Sequence, residues 1–237
     1  MTTPQNSQTI QAALTHGEYE LKGQFMLGSN YTFFVDVHHE GKTYQAVYKP
    51  STGEQPLWDF PDNTLALREV AAYHLSEALG FHIVPFTIYR QDGPYGPGSL
   101  QQYINYDVEH HYFNFTVEEK EMLRPVVLFD ILANNADRKG SHIFFEDDTH
   151  NLFAIDHGIC FHEEDKLRTV IWDFAGHHIP DELLAPLSQT DNWPALFENY
   201  LSPNEISALL IRAEILCTTK LFPRPLQGRR AYPYPPV

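Results

Sequence analysis

The chain has 237 residues, 43% hydrophobic and 14% aromatic, which is enough apolar material for a buried core and too much for general disorder. Its 16 Lys and Arg against 31 Asp and Glu leave a formal charge of −15, which disfavours binding to nucleic acid or to an anionic membrane, since both call for a dense basic face. Cys160 and Cys217 alone cannot build a disulfide framework or a CxxC zinc site.

The first residues lack a basic stretch followed by an apolar core, and no apolar run has the length of a membrane span. A soluble, cytoplasmic protein without a stable membrane anchor is expected. Residues 1 to about 8 are polar and uncapped and read as a tail. The stretch GQFMLGSN (23–30) reads as a strand closed by a turn at Gly28, Ser29 and Asn30. YTFFVDV (31–37) and TYQAVYKP (43–50), joined through HHEGK with Gly41 at the turn, read as a β-hairpin.

Good helix formers run from Thr64 to Leu79, with Asp62 or Asn63 as the expected N-cap and Gly80 as the stop. FHIVPFTIY and SLQQYI (99–104) form a second strand pair around the turn-rich QDGPYGPG. In the second half Thr116 and Glu119 have capping-box spacing, and Met122, Val126, Phe129 and Ala133 share a helical face that Pro125 should kink or break. IFFED and NLFAID read as a short hairpin. Ser202, Pro203 and Glu205 open a final helix, and the proline-rich FPRPLQGRRAYPYPPV reads as irregular.

Between VVLFDILA and IFFED lies NNADRKGSH (134–142), a polar loop with no apolar face. Taken in chain order, the Gly28 turn, Lys49 at a strand end, Glu69 inside the next helix, and Asp137 and Asp156 around the short hairpin are the parts that phosphoryl transfer from a nucleotide requires. Amides of a Gly turn approach phosphates, a lysine neutralises them, and a helix glutamate holds that lysine. One carboxylate orients the attacking hydroxyl and another carries a divalent ion.

YKPSTGEQPLWDF, REVAAYHLSEALG, GPGSLQQYI, NNADRKGSH and AIDHGICF together resemble bacterial phosphatidylinositol 3- and 4-kinase-like proteins, related to type II phosphatidylinositol 4-kinases and to HipA-type kinases. The resemblance covers roughly residues 20–180, and NADR followed by AIDHG is its most specific part. It implies an α+β, two-lobed protein-kinase-like fold in a single domain spanning 1–237. The N-lobe, about 10–104, would be an antiparallel sheet with one helix; the C-lobe, about 105–222, would be mainly helical; a proline-rich tail would follow at 223–237.

By the same resemblance, Lys49 is the phosphate-binding lysine and Glu69 its partner. Gly28 and Ser29 lie in the phosphate turn, and Gln102, Tyr103 and Ile104 form the hinge whose backbone meets adenine. Asp137 is the catalytic aspartate and Asp156 the metal ligand, with His142 at the second metal position where many relatives carry Asn. Imidazole matches Mg²⁺ poorly. Magnesium is then held mainly by Asp156 and the phosphates, or His142 has another role, or catalysis is weakened.

The implied cofactors are ATP and Mg²⁺ or Mn²⁺, and the acceptor is a hydroxyl of a protein or a small soluble compound. A nucleotide-binding pseudokinase and an AMP-transferring enzyme are the alternatives. Lys166 and Arg168, after the AIDHG motif, either receive an anionic substrate or pair with nearby acids. The His pairs lack HExxH spacing, so zinc is not expected.

Overall fold

A computed structural model of the chain describes residues 4–25, 30–226, 228 and 230–237, with the side chains of residues 4–7 left aside. The expected phosphate-turn residues Gly28 and Ser29 lie outside the described residues.

Strands β2 (Phe33–His39) and β3 (Lys42–Pro50) form the predicted hairpin. Glu40 and Gly41 between them both have positive φ, 49° and 73°, the mirror-image turn whose twist suits paired strands. Phe33, Val35 and Val37 alternate inward with Ala46 and Tyr48 of β3 to build one apolar cluster. With β1 (Glu18–Gln24), β4 (Thr87–Arg90) and β5 (Gly98–Gln102), these strands make an antiparallel sheet in the order β1-β2-β3-β5-β4. The strand expected at 23–30 is displaced: β1 begins at Glu18 and shares only Gly23 and Gln24 with that stretch.

Two expectations about the N-terminal half are corrected. The presumed tail is helical from Pro4, in α1 (Pro4–His16), so the sheet carries two helices instead of one. Helix α1 buries Ala13 and Leu14 against the sheet. Its last carbonyls are capped from far away, because Arg90 Nη1 donates to Leu14 O at 3.0 Å and to Gly17 O at 2.8 Å. Locally the Gly17 amide donates to Ala13 O at 2.7 Å, but the guanidinium that serves the neighbouring carbonyls comes from β4. Gly17 makes the turn into β1, where a Cβ would lie 2.5 Å from Val37 Cγ1.

Helix α2 (Leu65–Ala78) follows β3, and its expected caps are also corrected: neither Asp62 nor Asn63 caps it, and the N-cap Thr64 makes no side-chain cap bond. The first-turn amides of Leu65 and Ala66 instead donate to Glu54 Oε2 and Oε1 at 3.1 and 2.9 Å, so a carboxylate from the preceding loop sits at the positive end of the helix. Glu54→Ala should lower stability by about 0.5–2 kcal/mol, measured by urea denaturation, with no change in the unfolding slope.

The second half opens with α3 (Val117–Glu121), whose Thr116–Glu119 capping box forms as predicted, and α4 (Arg124–Ala133), which restarts with Pro125 in its first turn. The break lies just ahead of the proline. Asn134 ends α4 in the left-handed conformation, φ 51°. The hairpin β6 (Ile143–Phe145) and β7 (Leu152–Ala154) comes next, followed by α5 (Asp181–Leu184), α6 (Trp193–Phe197) and α7 (Pro203–Thr219), which begins on the predicted Ser202–Glu205 box. A second, larger apolar cluster joins α4, α7 and the inner face of α2.

After α7 the chain is irregular, as its prolines demand, yet it is docked. Ala231 O accepts from Thr169 N at 3.1 Å and from Trp172 Nε1 at 3.2 Å, and Pro236 O accepts from Gly140 N at 2.8 Å. Among the described residues no helix is long and apolar enough to cross a membrane.

Candidate active site

Strand β3 delivers Lys49 to the junction between the sheet and the helical half. The buried carboxylate of Glu69, on α2, pairs with its ammonium, and Asp156 Oδ1, from beyond β7, lies 3.0 Å from Nζ. Glu69 does not pair with its neighbour Arg68, which turns the other way to Glu205 and the Cys160 carbonyl. The second oxygen of Glu69 accepts the His157 amide at 3.0 Å. One carboxylate thus ties β3, α2 and the segment after β7 together.

Burial works against the Lys49 ammonium, but Asp156 and Glu69 hold its pKa above the usual lysine value. Lys49 in turn holds Asp156 well below the usual carboxylate range, with burial opposing. Asp156 has φ 62°, a backbone conformation that costs a non-glycine residue on the order of 1–3 kcal/mol and that surrounding contacts must maintain. Its side chain is about half exposed, at 51%, so the carboxylate remains open.

The 134–142 loop is held by a buried network. Asp130, the single charged residue of the apolar run VVLFDILA, receives Arg138 Nε at 2.9 Å on Oδ2, and both Arg138 Nη2 at 2.9 Å and Asn135 Nδ2 at 3.0 Å on Oδ1. Arg138, fully buried, also donates to the carbonyls of Ile155 and His142 and contacts His157 Nε2 at 2.8 Å. Every donor is directed at a partner, so the guanidinium acts as a strut for the loop.

Asn135 Oδ1 accepts the Asp137 amide at 2.9 Å, which fixes the backbone from which the Asp137 carboxylate projects. Lys139 Nζ lies 3.3 Å from that carboxylate. Burial raises the pKa of Asp137; Lys139 pulls it back, Asp156 adds to the rise and Arg168 opposes it. Asp137 therefore stands within electrostatic reach of Asp156.

His142 Nε2 lies 3.3 Å from Asp156 Oδ2. Burial pushes its pKa down to about 4 against the pull of Asp156, so the imidazole is neutral near pH 7, and its buried Nδ1 has no hydrogen-bond partner. Among the described residues no group of three or more His, Cys, Asp or Glu side chains could hold an ion alone. One open carboxylate beside a neutral imidazole fits a divalent ion whose remaining ligands are phosphate oxygens and water.

At the hinge, Gln102 N donates to Phe86 O at 2.8 Å and Tyr103 N to Gln45 O at 3.1 Å. Both amides are occupied, whereas the Ile104 amide donates to no group among the described residues. The Tyr103 ring meets Phe34 edge-on at 5.1 Å, and Tyr106 stacks on Phe144 of β6 at 3.7 Å.

The structure joins Lys49, Glu69, His142 and Asp156 by direct contacts; Asp137, on the loop held by Asn135 and Arg138, touches none of them and is linked to Asp156 through its charge alone. Sequence reasoning did not single out Asp130 or Asn135, and it weighed His157 only as a zinc ligand. For Asp130 the signal was present as a lone carboxylate inside an apolar helix, which has to find a buried cation.

No family model matches the chain. It is 36% identical over 264 residues to Protein Rv2133c of Mycobacterium tuberculosis, with 94% of each chain covered. Among solved structures, the Golgi casein kinase with Mn/ADP bound superposes with TM-score 0.58 at 14% identity over 100% of this chain and 81% of that one. The Helicobacter pylori proinflammatory kinase CtkA gives 0.54 at 12% identity over 87% and 93%. Hydra Fam20 with sugar gives 0.52 at 13% identity over 91% and 88%. At these identities the likeness establishes the fold: α+β, two-lobed and protein-kinase-like.

Proposed function

Because this chain belongs to the family of Protein Rv2133c and has the protein-kinase-like fold, we propose that it is an ATP-dependent phosphotransferase that moves the γ-phosphoryl group to a hydroxyl. The observation that carries this reading is the bridge from Lys49 Nζ to Glu69 and Asp156, which joins residues 107 positions apart at the junction of sheet and helices. Glu69 also ties the elements together, but the half-exposed Asp156 carboxylate in its strained conformation adds little stability and is well placed to serve a triphosphate and its metal ion.

In this reading the whole chain is one catalytic unit whose lobes meet near residue 104. Lys49, positioned by Glu69, binds the phosphates. Asp156, with His142 beside it, holds Mg²⁺ or Mn²⁺, which when bound neutralises charge on the phosphate oxygens. The Ile104 amide and the carbonyls of Gln102 and Tyr103 meet the adenine. Asp137, kept in register by Asn135, accepts the proton of the incoming hydroxyl, and Lys139 steadies its charge. The structurally similar Golgi casein kinase has Mn/ADP bound, which supports nucleotide and divalent-metal use here. The motif resemblance to phosphatidylinositol kinase-like and HipA-type proteins supports the same residue roles.

The acceptor in this reading is a protein or small soluble hydroxyl compound in the cytoplasm. The charge of −15 argues against nucleic acid. His142 favours one second reading, a nucleotide-binding pseudokinase, because imidazole stands where a metal-binding amide would serve Mg²⁺ better.

Purified protein incubated with Mg²⁺ or Mn²⁺ and ATP labelled separately at the γ and α positions separates the readings. Transfer of γ-label is expected. Transfer of α-label would make the protein an AMP transferase, and thermal stabilisation by ATP without transfer of either label would make it a binding module.

A further inference from the structure

A second concavity lies beyond the 134–142 loop. It measures about 1270 Å³ and is lined by the end of α4, residues 163–168, the outer face of α7, and residues 221–226 with Arg230 and Ala231. Exposed apolar side chains gather there: Ile211 and Ile215, one turn apart on α7, and Leu226 are 56%, 53% and 56% exposed. Singly such residues are ordinary; around one hollow they form a surface that favours apolar cover.

Four guanidiniums line the same hollow, those of Arg168, Arg212, Arg224 and Arg230. None forms an ion pair with a described carboxylate. Elsewhere Arg68, Arg90, Arg124 and Arg138 each do. In a chain with 31 acidic and 16 basic residues, arginines without carboxylate partners should be scarce, and here they share one wall. Arg212 donates to the carbonyls of Leu132 and His162, while its Nη2 has no partner. The hollow's acids are Glu163, Glu164 and Asp165; Glu164 is engaged by Lys166, the charge of Asp165 acts on Arg212, and the four arginines with Lys166 still outnumber the three carboxylates.

We propose that this hollow binds a small organic anion with an apolar body, its carboxylate, sulfonate or phosphate meeting the guanidiniums and its ring or short chain lying on Ile211, Ile215 and Leu226. A polyanionic macromolecule or an anionic bilayer would have to approach a surface of its own sign, whereas a single anionic group needs only the local field. The volume exceeds that of ordinary small-ligand pockets, roughly 300–1,000 Å³. This inference rests on the kinase reading for one further step, that the ligand is the phosphoryl acceptor. Arg168 links the two sites: it lines the hollow, its amide donates to Asn135 O at 2.9 Å, its carbonyl accepts from Arg138 N at 3.0 Å, and its charge acts on Asp137.

A matched dye pair tests it. 8-Anilinonaphthalene-1-sulfonate has an apolar body and one anionic group, and N-phenyl-1-naphthylamine is the same body without the sulfonate. Each is titrated by fluorescence into the intact protein, with Mn–ADP binding measured in parallel by calorimetry. We expect one equivalent of the sulfonate to bind about tenfold or more tighter than the uncharged dye. Arg212→Gln and Arg168→Gln should remove that preference, and Ile215→Gln should weaken both dyes. Circular dichroism and a cooperative thermal transition like that of the native protein report that each variant is folded, whatever its nucleotide binding.

Equal affinities in the native protein, or a preference that survives both arginine substitutions, overturn the inference and leave the kinase reading intact. Sulfonate preference lost in the variants, in a protein that binds no nucleotide, upholds the anion site and overturns the kinase reading and, with it, the ligand's role as acceptor.

Discussion

Asp137→Asn lowers γ-phosphoryl transfer by about 10²–10⁴-fold and leaves Mn–ADP affinity unchanged, because the substitution keeps the shape of the side chain and removes only its capacity to accept a proton. The Asp137 amide still donates to Asn135 Oδ1, so the loop should hold its geometry. The pH profile supplies a second readout. Burial raises the Asp137 pKa, and only the ionised carboxylate accepts a proton, so native activity falls as pH drops through a value above the ordinary aspartate range. The residual activity of the variant should lack that acid limb. Single-turnover transfer measured from pH 4 to 8 checks both; unchanged transfer in the variant would remove Asp137 from the mechanism.

Arg138→Ala should have the largest effect on stability, a loss of about 3–5 kcal/mol. It leaves Asp130 as an uncompensated buried charge and deprives the Ile155 and His142 carbonyls of a donor. Chemical denaturation of the variant measures this. Replacing Asp130 and Arg138 together with apolar residues should recover part of the loss, since the penalty belongs to the unpaired charge more than to the missing attraction. A single substitution costing under about 1 kcal/mol would mean that water reaches the site and solvates what remains.

Several elements are legible locally because their determinants are neighbours in sequence. The Glu40–Gly41 turn, the Thr116–Glu119 and Ser202–Glu205 capping boxes and the restart of α4 at Pro125 each depend on residues a few positions apart. The contacts of Lys49 with Glu69 and Asp156 are legible for a different reason: the motif resemblance pairs those positions, although they lie far apart in the chain. What escapes local reading is stabilised from a distance. Helix α1 is capped by Arg90 of β4, α2 by Glu54 across a loop, and the partner of Arg68 is Glu205, 137 positions on. The arginine-lined hollow is assembled from stretches far apart in the chain, and in sequence its cations look like any solvated charges.

The docking of the proline-rich segment ties the mobility of one region to another. Proline lacks an amide hydrogen, so the stretch through Pro233, Pro235 and Pro236 offers acceptors with few donors of its own to satisfy, and Pro236 O and Ala231 O are used to hold Gly140 and Thr169. Breathing of the polar loop at Gly140 must therefore release residues far downstream in the same event. The least regular described segment of the chain and the polar 134–142 loop are thereby expected to open as a single cooperative unit.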